Sequence, residues 1–225
     1  HPMKRRTMLA LVSSIPAALA MAADEKPYTP NLKQFKPIFD GKTLTGWRKL
    51  TTFTGEDGKW EVVDGNIVGC QWPAGKGGLL VTEKNYGNYE VYAEVKGEYP
   101  IDSGFFLRTQ PDAKSYQITL DYRDGGEMGG LYSHLGGGFL VHYPDGMKIW
   151  KKNEYNTVVA RIEGQPPKIK AWINGIKVQD YADTLMDGKE RVPATGVFGI
   201  QVHEGSVSGP DNRIFFRKIM IRELK

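Results

Sequence analysis

Ser115-Tyr-Gln-Ile-Thr-Leu-Asp121 changes character at every step. Successive side chains of a strand point to opposite faces. Ser115, Gln117, Thr119 and Asp121 therefore share one face, and Tyr116, Ile118 and Leu120 share the other. Such a strand is apolar behind and carries a row of hydrogen-bonding groups in front. Just upstream, Asp102-Ser-Gly-Phe-Phe-Leu-Arg-Thr109 alternates more loosely and reads as another strand.

The same period recurs outward from this point. Trp60-Glu-Val-Val-Asp-Gly-Asn-Ile-Val-Gly69 is a hairpin folded at Asp64-Gly65, a strong turn dipeptide. Tyr89 to Lys96 alternates, with Glu90, Tyr92, Glu94 and Lys96 on its polar side. Thr157 to Glu163, Lys168 to Ile173, Val197 to Glu204 and Ile214 to Ile221 are further strands, and Asn174-Gly175 turns the chain into Ile176 to Val178. No window shows helical spacing. Seven glycines crowd Asp124 to Gly138 around Glu127, Tyr132 and His134, which reads as a long functional or mobile loop. Many short strands with regular turns predict an all-β, two-sheet antiparallel sandwich of jelly-roll type.

The chain has 225 residues, 40% of them hydrophobic, enough for one domain with a substantial core. The lone cysteine, Cys70, rules out an intramolecular disulfide and a CxxC zinc site. Met3, Lys4-Arg5-Arg6, an apolar run from Met8 to Leu19 and Ala20-Met21-Ala22 have the layout of a signal peptide. His1-Pro2 ahead of Met3 read as an addition. Arg5-Arg6-Thr7-Met8-Leu9 fits a twin-arginine signal as well as a general secretory one. Either predicts a periplasmic or extracellular protein. The apolar run is too short and interrupted to span a bilayer. The expected division is residues 1–22 as signal peptide, 23–36 as an extended linker or edge segment, and 37–225 as one β-sandwich. Beyond the leader the chain carries 27 basic and 26 acidic residues, a balance that predicts neither a nucleic-acid nor a membrane partner.

The polar strand faces hold the candidate chemistry. In Val197-Phe-Gly-Ile-Gln-Val-His-Glu204, Gly199, Gln201 and His203 share a face. With Arg108, Asp121 and Glu94 they supply a base, carboxylates, a cation and hydrogen-bonding groups. That inventory suits proton abstraction beside a carbonyl, or acid and base work on a glycoside. His203 is the favoured histidine; His134 and His142 read as loop or surface residues. Gln117, Thr119 and Glu90 also read as solvated strand positions, and Arg108 as a partner of Asp102 or Asp121. Asp121 and His203 are alternatively ligands of a divalent metal. No organic cofactor is expected, because no phosphate loop or dinucleotide fingerprint is present. The five tryptophans read as core, with Trp150 the exception as a sugar platform. Tyr92, Tyr132, Gln117, Thr119 and Gln201 complete the expected ligand contacts.

Phe39-Asp-Gly-Lys-Thr-Leu-Thr-Gly-Trp47, Trp60 to Gly69, Gly78-Leu-Leu-Val-Thr82, Tyr89 to Val95, Ser103-Gly-Phe-Phe-Leu-Arg108, Trp172-Ile-Asn-Gly175, Gly199-Ile-Gln-Val-His203 and Phe216-Arg-Lys-Ile219 follow one another in an order and spacing that resemble the 3-keto-disaccharide hydrolase domain family. The resemblance implies a fold similar to the concanavalin A-like lectins and glucanases, with a ligand site on a sheet face. It implies a carbohydrate ligand and cleavage of glycosides oxidised at C3. His203 or Asp121 would be the base, Arg108 or a metal the oxyanion stabiliser, and Glu94 or Tyr132 the acid. One departure stands out. Many relatives carry Tyr-Glu-x-Gln where this chain has Tyr116-Gln-Ile-Thr119, an amide in place of a carboxylate. A non-catalytic sugar-binding module of the same fold is the alternative. Glu90-Val-Tyr-Ala-Glu94 lacks the middle aspartate of the strand that retaining glucanases carry.

Overall fold

Period-2 patterning becomes sheet almost everywhere in the computed structural model, which describes residues 26–51, 57–184, 190–206, 208–209 and 211–225. The expected leader lies outside the described residues. Those residues form fifteen strands, a four-residue helix at Gly146–Ile149 and a 3-10 turn at Leu32–Gln34. All described pairings are antiparallel.

One sheet runs β13 (Ile176–Ala182), β12 (Lys168–Ile173), β11 (Asn156–Glu163), β6 (Tyr89–Gly97), β15 (Arg213–Glu223), β4 (Asn66–Cys70) and β3 (Lys59–Val63), with β1 (Lys36–Pro37) also paired to β15. The other runs β10 (Gly138–Val141), β9 (Met128–Ser133), β8 (Tyr116–Leu120), β7 (Gly104–Thr109), β14 (Gly196–Val202), β5 (Gly78–Tyr86) and β2 (Trp47–Leu50). We call them the large and the small sheet. The predicted two-sheet jelly roll is what forms.

The core lies between them. Val91, Ala93 and Val95 from β6 and Val158, Ala160 and Ile162 from β11 meet Phe105 and Leu107 from β7, Ile118 and Leu120 from β8, and Phe198, Ile200 and Val202 from β14, each fully buried. Phe105 packs edge-on against Phe198 at 5.2 Å and reaches Phe216 of the opposite sheet at 6.5 Å. Each such aromatic contributes roughly 1.5–3 kcal/mol by leaving water.

This packing turns the alternate residues of both sheets outward. On the large sheet the outward set includes Glu90, Tyr92 and Glu94. Residues 26–36 lie across that face as an edge segment, not a free tether. The Tyr28 N–H donates to the Gly175 carbonyl at 2.8 Å, the Tyr28 ring stacks on Trp172 at 4.3 Å, and Phe35 is buried. The segment expected to be a glycine-rich loop, 124–138, instead supplies β9 and the start of β10. Glycines allow this because side chains would collide there: a Cβ on Gly130 would meet the Glu127 and Phe139 side chains.

Candidate functional site

The outward face of the small sheet carries three successive rows. Gly199, Phe106, Gln117, Tyr132 and Phe139 are register partners in turn across β14, β7, β8, β9 and β10. Directly opposed residues share a face, so these five form a continuous line. Gln201 and Thr119 lie two residues further along their strands. Beyond the strand ends come His203, Asp102 and Asp121. The last two face each other because Ile101 and Tyr122 bridge β7 to β8 just outside them. Apart from Gly199 and Phe106, these rows, with Arg123, Gly125, Glu127, His134 and Glu204, line a cavity of about 460 Å³.

Asp102 is buried, and its pKa is pushed up to about 6. Loss of water is the largest cause and the neighbouring Asp121 carboxylate the next, while His203 and Arg123 pull the other way. The Arg123 guanidinium bridges the two acids, with Nε 2.6 Å from Asp121 Oδ1 and Nη2 3.9 Å from Asp102 Oδ2. His203 is partly exposed. Its Nδ1 lies 2.6 Å from the Glu204 carbonyl oxygen and its Nε2 3.9 Å from Asp102 Oδ2. A carbonyl only accepts, so Nδ1 carries the hydrogen, and in the neutral ring Nε2 holds the free lone pair. That lone pair sits beside the raised carboxyl.

The middle row is a neutral polar network. Gln117 Nε2 donates to Gln201 Oε1 at 3.0 Å, and Gln117 Oε1 lies 2.9 Å from His134 Nε2. Burial is the main reason the His134 pKa falls to about 4, so this ring is neutral at neutral pH. Thr119 donates to the Glu127 carbonyl. Gly104 makes room for this network, since a Cβ there would lie 2.3 Å from Gln117 Nε2.

Of the residues named from sequence, Gln117, Thr119, Asp121, Tyr132, Gln201 and His203 line this cavity together. Gln117 and Thr119 are buried there, so they are not solvated strand positions, and neither is Glu90, buried on the opposite sheet. Four other residues lie elsewhere. Arg108 shares the parity of Phe106, yet β7 carries an extra residue opposite Val197–Gly199 and Arg108 takes a positive φ of 49°. This bulge turns its side chain away. It is fully buried and donates to Gly87 O, Gly164 O and Asn88 Oδ1, an end clamp on two loops. It pairs with neither Asp102 nor Asp121. Glu94 and Tyr92 do share a polar face, but that of the large sheet. There Glu94 binds Arg217 and Lys218, and Tyr92 packs against Phe35, Val159 and Trp172. Trp150 is buried in the main core, with Tyr122 6.0 Å away, and offers no sugar platform. Conversely Trp72, read as core, is 66% exposed.

Asp102, Arg123, Glu127 and His134 were missed as site residues. His134 follows Tyr132 at the strand period, a signal hidden by the glycines around it. His142 is exposed, as expected. Asp121 and His203, paired above as metal ligands, line one wall, but Arg123 occupies the approach to Asp121. Among the described residues no group of three or more His, Cys, Asp or Glu side chains converges on a point that would hold a metal ion.

Comparison with known proteins agrees with the fold. The family described as the 3-keto-alpha-glucoside-1,2-lyase-like domain matches residues 34–222. No curated protein matches the chain. Among solved structures, a candidate glycosyl hydrolase from Parabacteroides distasonis is 20% identical over 89% of this chain and 100% of its own, with a TM-score of 0.62. A protein of galectin-like fold from Bacillus subtilis is 12% identical over 84% and 98%, TM-score 0.60. The carbohydrate-binding module CBM66 from Bacillus subtilis is 14% identical over 79% and 96%, TM-score 0.58.

Proposed function

Because the chain belongs to the 3-keto-alpha-glucoside-1,2-lyase-like domain family, which places it among carbohydrate-related domains, we propose that it cleaves glycosides already oxidised at C3 of the sugar. The C3 ketone acidifies the hydrogen on C2. His203 Nε2 takes that proton, and the charge that develops on O3 is met by Arg123 and by the free amide N–H of Gln201. The C1–O bond then breaks, and the departing oxygen takes a proton from Asp102. C1 and C2 are adjacent, so an acid and a base 3.9 Å apart serve both atoms. Water adds to the resulting enone, and the net reaction is hydrolysis. No step runs through a metal. The leader read at residues 3–22 would place this reaction outside the cytoplasm.

One observation carries the reading: a carboxyl held near pKa 6 beside an imidazole lone pair and an arginine, at the end of a cavity lined with amides. The two groups have opposite protonation needs, the usual mark of an acid and base pair. The test is aglycone release from 3-keto-glucosides beside the unoxidised sugars, with and without EDTA. Release from the keto form alone, unaffected by EDTA and lost in His203→Ala, is the expected result. Full turnover by His203→Ala would remove that residue from the mechanism. Loss of activity in EDTA would require a metal that these steps omit.

A second reading is favoured by Gln117. An amide stands where the family pattern carries a carboxylate, and its hydrogen bonds are spent on Gln201 and His134. A pure binding module would bind sugar by calorimetry and release nothing from either form.

A further inference from the structure

The wall of the cavity away from the acids is aromatic. His134, Tyr132, Phe139 and His142 follow one another with ring centroids 4.9, 5.2 and 4.5 Å apart. The line leads outward from the buried amides to β10, the edge strand of the small sheet. There Phe139, Leu140 and Val141 are three consecutive large apolar side chains, 38%, 37% and 36% exposed. Among the described residues the other exposed large apolar side chains, Val63, Trp72, Tyr99 and Ile176, sit singly on separate elements. The β10 run is therefore the one consecutive apolar run of this kind among them, and Phe139, the register partner of outward-facing Tyr132, is its member at the cavity.

We infer that Tyr132 and Phe139 form the subsite for the leaving group, and that this subsite takes an apolar, ring-bearing aglycone in preference to a second sugar. The inference rests on the elimination reading above and names its substrate class. A second sugar would present hydroxyls all round and require partners for them. The carboxylate nearest this rim, Glu127, is already committed, one oxygen to the Tyr143 N–H and the other to His142. What Phe139 offers is apolar surface, which favours a group that loses little by leaving water. The reacting sugar occupies the polar end, with C1 and C2 at Asp102 and His203, and the leaving group runs from there along the cavity to the rim.

The test compares kcat/KM for 2-phenylethyl 3-keto-glucoside with that for a 3-keto-disaccharide, in the wild type, Phe139→Ala and Phe139→Leu. Both leaving groups are aliphatic alcohols, and the ratio between variants cancels their intrinsic reactivity. The wild type should prefer the phenylethyl substrate. Phe139→Ala should reduce that preference roughly tenfold, the loss falling mainly on the phenylethyl substrate, and Phe139→Leu should restore most of it. A ratio that Phe139→Ala leaves untouched overturns the subsite while the elimination chemistry stands. No turnover of either keto substrate by the wild type overturns the chemistry, and the subsite with it. Should Phe139→Ala shift the oligomeric state in sedimentation and leave the ratio alone, β10 is an interface between copies and the subsite is again overturned.

Discussion

Asp102 holds its proton more tightly folded than unfolded, because burial and Asp121 disfavour its charge. Its folded pKa of about 6 lies above the ordinary 3.8. The stability this group contributes is therefore whole below about pH 3.8 and is lost as the pH rises through about 6. Asp102→Asn removes the buried charge. It should raise stability at pH 7.5 by about 1–3 kcal/mol and change little near pH 4, read from urea unfolding at the two values. The same variant should lose turnover, since it cannot give up a proton. A gain in stability with a loss of activity is the signature of strain kept for function. Arg108 is the contrasting residue. Truncating it to Ala strips the donors from Gly87 O, Gly164 O and Asn88 Oδ1 and opens a void. Arg108→Ala should cost about 3–5 kcal/mol of stability, measured by denaturation, with KM of the surviving folded fraction unchanged.

Among the elements, β7 decides the most. Its regular part presents Gly104 and Phe106 to the outward face, and the bulge at Arg108 ends that run. Gly104 has ordinary backbone angles, so its lack of a side chain serves packing rather than conformation. Gly104→Ala should fold, because the atoms its Cβ meets belong to the movable Gln117 side chain. The displaced Gln117 would then lose Gln201 and His134. The expected outcome is a melting temperature within a few degrees of wild type and at least tenfold weaker sugar binding by calorimetry. The bulge also explains why Arg108 could not be placed from sequence. Strand parity assigns it to the face of Phe106, and one inserted residue reverses the assignment.

For the whole molecule, the two sheets leave two outward faces, and only one carries the cavity of acids, amides and histidines. The other is consolidated by ions. Glu90, fully buried, accepts from Tyr28 and is paired with Arg161 and Arg222. Glu90→Ala would remove the carboxylate shared by both arginines and the Tyr28 hydroxyl. It should destabilise the domain by about 3 kcal/mol in thermal unfolding, yet leave KM for a 3-keto-glucoside unchanged, because the sandwich core separates the two faces. A shift in KM would show that the faces communicate.

Much of the site was legible in the order of residues along single strands. Period-2 alternation in Ser115 to Asp121 and Val197 to His203 sorted core from outward residues, and that sorting survives in the structure; Glu204, past the strand end, breaks it by lining the cavity. The alternation set Gln117, Thr119 and Asp121 on one face of their strand, and Gln201 and His203 on one face of theirs. Alternation is a local property of the chain, readable strand by strand. Sheet membership is not local. Tyr89 to Lys96 alternates as cleanly as Ser115 to Asp121, and nothing within it tells that Tyr92 and Glu94 belong to the sheet without the cavity. Only tertiary pairing decided that, as it decided that Asp102 faces Asp121 across a bridge outside the regular strands. The raised pKa follows first from the burial of Asp102 and then from the approach of the Asp121 carboxylate. It is a property of distance in space, and neither residue carries it alone.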